Sequence, residues 1–403
     1  MYRSLTYGCW ASVVQYLEAN VRFRFFQHCP EIAKPCHNVP LTIDHWELNN
    51  LHFSVNGVSY QIGVIRHCIR GELSQSRKED NQHGGVCYDV EQFGDPEDYY
   101  VQKRVEEDQP LTEEEMQVLE TQRARLRELE AIGIRSPKLD EQWALRNTIM
   151  NFEFRLANSQ AEYCHLFLFL TFDSKLRSYA FVDATSYTKP FKDANNFLIQ
   201  RMFPERVRVK TFRVNFKILE LNLPIKFLTV DYLIVHKPAI EILNALEPML
   251  AHKSINKMKL SNCTQFDHPL IMNSKELELR GPFEFVEVPH HKVQYECVEF
   301  TTNNAVELIQ NWKSSNYSTG RQFTVEIRNM NKVENLWKLL GEYPGAIRAN
   351  LKEKRTMVFS YCITIPMSNA TELNVFCTDF LEVYSTSCHL NFNLNPTGFS
   401  CPI

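Results

Sequence analysis

The feature of this sequence that most restricts its fold is a loose repeat of strand-like segments that begins at Phe227. These segments recur roughly every 20 to 30 residues, and helical stretches lie between some of them. A strand, a helix and a second strand in succession are typical of a parallel sheet, because the helix carries the chain back to the starting edge. The strand-like segments lie at 227–235, 258–260, 277–279, 298–300 and 323–327, and the helical ones at 239–250 and 305–312.

The spacing of this repeat indicates a degenerate leucine-rich, solenoid-like array. After Leu336–Leu340 the pattern changes to strands only, at 346–351, 357–365 and 372–384. We expect these last strands to be antiparallel, since no helical stretch separates them. The tail 393–403 contains prolines, and we expect it to be irregular.

An Asn56-Gly57 dipeptide separates two segments in which apolar residues alternate with polar or small ones. Both residues tolerate the positive φ of a type I′ turn, so the pattern predicts a β-hairpin over 51–64. A two-residue turn pairs Val55 with Val58 and places the apolar side chains of both strands on one face. Those side chains are Leu51, Phe53, Val55, Val58, Tyr60, Ile62 and Val64.

Residues 5–32 predict two short helices, because apolar residues recur there at helical spacing and Pro30 ends the pattern. Residues 68–100 contain residues that interrupt helices and strands, and we expect a loop there. Residues 112–132 predict a long charged helix that opens with a Thr112–Glu115 capping box. Further helices are expected at 140–155 and 191–203, and further strands at 164–172, 179–182 and 207–216.

A chain of 403 residues is too long for one ordinary core, so several domains are expected. Hydrophobic residues make up 44% and charged residues 23%, which favours a globular protein over a disordered one. The predicted fold class is mixed α and β (α+β or α/β). The expected segments are a helical segment at 1–38, a strand-rich module at 39–100, a charged helical linker at 101–155, a small α/β segment at 156–220 and the strand–helix array at 221–403.

The net charge of −4 gives no general attraction to nucleic acid or to an anionic membrane, and neither is an expected partner. The 12 cysteines are scattered and include no C-x-x-C pair, which is typical of reduced thiols. The first 20 residues lack a clean apolar stretch. We therefore expect an intracellular protein, in the cytoplasm or the nucleus.

No P-loop, G-x-G-x-x-G, G-x-S-x-G or H-E-x-x-H motif occurs in the sequence, so we expect neither enzymatic activity nor a cofactor. Neither Cys29 with Cys36-His37 nor His290-His291 has the spacing of a zinc site, and no metal is expected.

Three basic residues alternate along one predicted strand, at Arg206, Arg208 and Lys210. Such a row could hold phosphates. We interpret it instead as a solvated face or as an edge strand protected by charge, because the chain as a whole is acidic.

Several motifs resemble a large nematode-expanded family with an F-box-like opening and a domain of unknown function. At the N-terminus they are Leu5-Thr6-Tyr7, Val13-Val14, Tyr16-Leu17-Glu18-Ala19-Asn20-Val21-Arg22 and Cys29-Pro30-Glu31-Ile32. Further along they are Val39-Pro40-Leu41-Thr42-Ile43, Tyr60-Gln61-Ile62-Gly63-Val64-Ile65-Arg66 and Gly84-Gly85-Val86-Cys87-Tyr88-Asp89-Val90. The C-terminal half is similar to the F-box-associated domain, through Thr302-Asn303-Asn304, Leu308-Ile309-Gln310-Asn311-Trp312, Phe323, Val325 and Ile327.

The resemblance implies a protein-interaction module, in which the N-terminal helices dock on a Skp1-type adaptor and the C-terminal domain recruits a protein substrate to a ubiquitin ligase. The residues expected to dock are Leu5, Trp10, Val13, Val14, Leu17, Val21 and Phe25. Thr6 replaces the usual proline, and the helical segment stops near Ile32. A non-catalytic scaffold, in which the F-box remnant is only structural, therefore stays open as the alternative.

Overall fold

A computed structural model describes most of the chain. The described residues are 7–28, 37–49, 52–73, 75–90, 110–131, 144–146, 148–149, 152–153, 155–156, 162–173, 178–215, 223–236, 238–281, 288–296, 300–315, 317–352, 358–368, 370–379 and 388–403. They form two compact units. Unit 1 comprises Met1–Asn50 and Phe203–Ile403, and unit 2 comprises Leu51–Met202. These units cut across the segments predicted from the sequence, since 39–50 and 51–100 fall in different units.

Both units combine helices and strands, as expected for a mixed fold. The helices are α1 (Tyr7–Val14), α2 (Ala19–His28), α3 (Gln75–Gln82), α4 (Glu113–Ala131), α5 (Phe191–Met202), α6 (Ala239–Leu246), α7 (Pro269–Met272), α8 (Thr302–Ser314) and α9 (Met330–Gly341). The strands are β1 (Leu41–Leu48), β2 (His52–Val55), β3 (Val58–Arg70), β4 (Glu162–Asp173), β5 (Ser178–Ser186), β6 (Arg206–Val214), β7 (Phe227–Val235), β8 (Lys257–Ser261), β9 (Glu276–Arg280), β10 (Lys292–Glu296), β11 (Gln322–Ile327), β12 (Ile347–Leu351), β13 (Cys362–Pro366), β14 (Thr371–Asp379), β15 (Cys388–Pro396) and β16 (Ser400–Pro402).

The sheet of unit 1 has a parallel half and an antiparallel half. Strands β1, β6, β7, β8, β9, β10 and β11 lie side by side in this order and are all parallel. Next to β11 the antiparallel strands follow in the order β15, β14, β13, β12 and β16. The predicted change from a strand–helix repeat to strands only is therefore confirmed.

Apolar ladders explain why the parallel strands keep one register. Leu233, Met258, Leu277, Val293 and Phe323 occupy equivalent positions on five successive strands, and all are buried. Shifting any strand by one residue would exchange its buried and exposed side chains, so this register is strongly specified. Helices α6, α8 and α9 each bury an apolar face in the same unit.

The strand expected at 298–300 falls largely outside the described residues, and the described strand between β9 and β11 is Lys292–Glu296, whose Val293 and Tyr295 take the ladder positions. One expectation for unit 1 is wrong. The tail is not irregular, since β15 and β16 occupy most of it. Its prolines lie at the strand ends, and the buried Phe392 and Leu394 alternate with polar residues.

Unit 2 contains the predicted hairpin. Asn56 and Gly57 have φ values of 50° and 87°, and Val55 pairs with Val58. The described apolar side chains of both strands are buried on one face, while Leu51 lies outside the described residues. The sheet order is β2-β3-β4-β5, and every pair is antiparallel.

Unit 2 also shows why the glycine pair at 84–85 is needed. Val86 forms an isolated bridge with Val64, which brings the pair against β3. A Cβ on Gly85 would lie 2.5 Å from the Val64 carbonyl oxygen, and a Cβ on Gly63 would overlap the Gly84 carbonyl. The predicted loop at 68–100 is wrong in part, because β3 extends to Arg70 and α3 follows it.

The predicted helices of unit 2 are confirmed at 113–131 and 191–202. At the start of α4, the Thr112 amide donates to Glu115 and the Glu115 amide donates to the Thr112 hydroxyl, which completes the capping box. Leu119 and Leu129 are buried, so this charged helix packs along its apolar stripe.

Candidate functional site

The candidate site is the exposed face of the parallel strands in unit 1. Right-handed crossovers between neighbouring parallel strands place all connections on the same side of a sheet. On the opposite side, most of the described side chains are partly or largely exposed, and Ile234 and Ser261 are buried. We call this side the open face, and define it by these outward side chains of β6 to β11: Arg206, Arg208, Lys210, Arg213, Phe227, Tyr232, Lys257, Lys259, Glu276, Glu278, Arg280, Lys292, Gln294, Glu296, Gln322, Thr324 and Glu326.

Charges alternate from strand to strand in one row of the open face, whereas Glu296 and Glu326 lie opposite each other on β10 and β11 and both pair with Arg328. The alternating row of paired residues runs through Tyr232, Lys257, Glu276, Lys292 and Gln322. In this row the Lys292 ammonium lies 2.9 Å from the Glu276 carboxylate. Opposite charges on adjacent strands stabilise a sheet, whereas like charges directly across from each other destabilise it. The alternation therefore favours the observed register.

Glu296 is the centre of the ion pairs on this face. Its carboxylate lies 2.8 Å from Lys259, 3.7 Å from Arg280 and 3.2 Å from Arg328. Burial alone would raise the pKa of Glu296, but the hydrogen bond and charge of Lys259, with the two guanidinium groups, lower it. One carboxylate thus contacts three cations, one on β8, one on β9 and one just beyond the end of β11.

A second contact joins the Tyr232 hydroxyl to the Glu278 carboxylate, with 2.5 Å between the oxygens. Burial and the neighbouring carboxylate both raise the pKa of Tyr232, so the hydroxyl keeps its proton and donates it. Lys257 also pairs with Glu278, at 2.6 Å. The side chains of this face are therefore held in position before any partner arrives, which lowers the entropic cost of binding.

The basic row predicted on one strand lies on β6, between β1 and β7. The edge-strand interpretation is therefore wrong, and the side chains of Arg206, Arg208 and Lys210 are exposed. Lys210 pairs with Asp44 at 2.5 Å, and Arg206 lies over the Phe227 ring at 5.4 Å.

The predicted docking residues divide into buried and exposed ones. Val14 is fully buried, and Trp10, Leu17, Phe25 and Val39 pack against it. Val14 is therefore part of the packing around α1 and α2, whereas Trp10, Leu17 and Phe25 are only partly buried. Val13 and Val21 are 41% and 38% exposed, and Leu5 lies outside the described residues.

Ser274 and His290 form a buried pair that resembles part of a hydrolase site. His290 Nε2 lies 2.9 Å from the Ser274 hydroxyl and 2.8 Å from the Ile271 carbonyl oxygen. A carbonyl oxygen only accepts, so Nε2 carries the hydrogen, and Ser274 itself donates to Ile271 at 2.8 Å. This imidazole nitrogen cannot take the serine proton. Instead, the two side chains donate hydrogen bonds to the Ile271 carbonyl oxygen near the end of α7.

Other chemistry is sparse in the described part of the chain. No group of three histidines, cysteines or carboxylates there could hold a metal ion. Cys68, Cys87, Cys263 and Cys362 are free thiols, and burial raises the pKa of Cys87, Cys263 and Cys362. None of the described helices has the length and apolar character of a membrane-spanning helix.

Comparison with known proteins gives one match. The family described as "Domain of unknown function (DUF3557)" matches residues 190–329, which run from α5 to just beyond β11. The match therefore includes most of the open face. No curated protein and no solved structure matches the chain.

The open face was not predicted from the sequence. Its signal is present, because the outward positions of β8, β9 and β10 read Lys-Lys-Ser, Glu-Glu-Arg and Lys-Gln-Glu. That alternation is visible only once the five-residue strands are aligned in register. The strand at 292–296 was not predicted, so this alignment could not be made from the sequence.

Proposed function

We propose that this chain is a protein-protein interaction module whose open face binds a protein partner. The observation that supports the proposal is the preformed ion-pair lattice on a solvent-exposed sheet. Polar, charged and aromatic side chains held in fixed positions favour the recognition of another protein surface, because electrostatic complementarity steers association and fixes the register of the partners. We propose no enzymatic activity for it.

Within this proposal, the module serves as a substrate-recognition adaptor of a Skp1-cullin-type ubiquitin ligase. The open face binds the substrate, and the outer surface of α1 and α2 docks on a Skp1-type adaptor. Val13, Tyr16 and Val21 support this second role, since they are exposed apolar or aromatic side chains on or beside these helices. The alternative is a scaffold that binds a protein through the open face and has no adaptor. Either module would work inside the cell.

A matched pair of substitutions tests the open face. Gln294 lies between Glu278 and Thr324 on this face, and Gln310 is exposed on α8. Gln294→Arg should reduce capture of a cross-linked protein partner from cell lysate, and Gln310→Arg should leave it unchanged. If both variants capture the partner equally well, the open face is not the binding surface.

The adaptor role needs its own comparison. Val21→Asp changes an exposed valine on α2, and Val118→Asp changes a valine of similar exposure on α4. Binding of a purified Skp1-type adaptor should be lost only with Val21→Asp. If the wild-type chain does not bind the adaptor, the scaffold alternative stands and the role of the open face is unaffected.

A further inference from the structure

Two arginines on the open-face side of β6 differ from the other basic residues of this strand, because they form no ion pair among the described residues. Lys210 and Arg213 on the same strand have acidic neighbours on β1, with Asp44 at 2.5 Å and Glu47 at 4.0 Å. Within the described part of the chain, Arg206 and Arg208 form no ion pair. Both side chains are exposed, so two positive charges remain uncompensated at this end of the sheet.

An exposed aromatic ring lies beside these arginines. Phe227 on β7 pairs directly with Arg206 and is 49% exposed. The Arg206 guanidinium lies 5.4 Å from the centre of the ring, a cation–π distance that orients the guanidinium. We call Arg206, Arg208 and Phe227 the arginine patch. It combines two planar cations with an apolar contact.

We infer that the arginine patch binds an acidic, extended segment of the protein partner. This inference rests on the proposed function of the open face and names the chemistry of its partner. Arg206 and Arg208 are two residues apart on one strand, so their side chains emerge roughly 6.7 Å apart. Carboxylates at alternate positions of an extended peptide have the same spacing, and each guanidinium binds a carboxylate through two parallel hydrogen bonds. An apolar side chain of the segment covers Phe227.

The surroundings of the patch favour a protein segment over a nucleic acid. Glu205, paired with Lys226 at 2.5 Å, and Asp44 flank the two arginines. A continuous polyanion would meet these carboxylates, whereas a short acidic segment ends before it reaches them. Nucleic-acid affinity also needs several phosphate contacts, and two cations supply too few.

The test uses the full chain and a short fluorescein-labelled peptide of alternating Glu and Leu. Fluorescence anisotropy should show binding that weakens with added salt, and a Gln-for-Glu version of the peptide should not bind. Arg206→Glu with Arg208→Glu should weaken binding at least about tenfold. Lys332→Glu with Lys338→Glu, the same charge change on exposed residues of α9, should leave it unchanged.

Three results would overturn the inference. They are no peptide binding by the wild-type chain, equal binding by both double variants, and stronger patch-dependent binding of a labelled single-stranded RNA or of anionic lipid vesicles. Arg206→Gln with Arg208→Gln repeats the comparison without new negative charge, and circular dichroism checks that each variant is folded. Failure here leaves the proposed function intact if Gln294→Arg still reduces capture of the partner, so the two proposals fail separately.

Discussion

Lys259 on β8 passes over β9 and places its ammonium 2.8 Å from the Glu296 carboxylate on β10. A contact that spans three strands fixes their relative register on the solvent side, as the buried ladder does on the other side. The same carboxylate also faces Arg280 and Arg328. Removing the Glu296 carboxylate would leave the three positive charges of Lys259, Arg280 and Arg328 close to each other.

Glu296→Gln should therefore lower the free energy of unfolding by about 1 kcal/mol, since partly exposed ion pairs in a network contribute modestly. The loss should shrink as salt is added, because the remaining repulsion is screened. Urea unfolding at low and high ionic strength measures both. Glu307→Gln on the exposed side of α8 is the matched control and should have no effect.

The buried carboxylate of Glu372 makes stability depend on acid pH. It accepts hydrogen bonds from the amides of Gly398 at 2.8 Å and Ser400 at 2.7 Å, and from Asn374 at 3.1 Å. Burial acts to raise the pKa of Glu372, but these donors outweigh it and lower the pKa below the usual 4.5.

A carboxylate with a lowered pKa in the folded state stabilises the fold above its unfolded pKa, and this contribution is lost as the pH falls through the folded value. Unfolding free energies measured from neutral pH down to below 4 should therefore decline more steeply for the wild type than for Glu372→Gln. The variant should be less stable by about 1–3 kcal/mol at neutral pH, since polar groups in this buried site lose their partner. If the unfolding free energies of the wild type and Glu372→Gln fall in parallel as the pH is lowered, Glu372 does not cause the loss of stability in acid.

Gly63 should tolerate no side chain. A Cβ at this position would overlap the Gly84 backbone, which cannot move without breaking the bridge between Val64 and Val86. Gly63→Ala should destabilise the protein by about 3 kcal/mol or more. Gly341→Ala, at the end of α9 with no atom near the new methyl group, should be neutral or stabilising. Thermal melting of the two variants makes the comparison.

Replacing apolar side chains of the N-terminal helices with Asp should have different effects at buried and at exposed positions. Val14→Asp with Leu17→Asp places charges among side chains that pack against each other, so α1 and α2 should unfold. Val13→Asp changes an exposed position and should leave the melting temperature unchanged. Limited proteolysis near residues 7–28 reports the difference. Intact helices in the double variant would show that Val14 does not hold them together.

Local patterns in the sequence predicted local structure well. The Asn56-Gly57 hairpin, the Thr112–Glu115 capping box and the helix at 191–202 depend on residues close in the chain, and all three are confirmed. Buried side chains are harder to assign. The apolar stripe of α1 and α2 was expected to face a partner, yet the fully buried Val14 packs within the chain.

The open face could not be predicted because it depends on register between distant segments. Lys292 meets Glu276 only because β9 and β10 are neighbours in space, and the sequence pattern predicts the strand at 298–300 instead of at 292–296. A shift of a few residues in a five-residue strand changes every cross-strand pair. The alternation of charge across strands can therefore be seen once the fold is known, and it cannot be used to predict the fold.

Site-specific photo-cross-linking tests directly whether a protein binds the open face. A photoreactive phenylalanine analogue at Gln294 lies on the open face, and the same analogue at Gln310 lies on the exposed side of α8. After irradiation of the full chain in cell lysate, the account predicts a discrete protein adduct from position 294 and none from position 310. An adduct from position 310 alone, or equal adducts from both, would contradict binding through the open face.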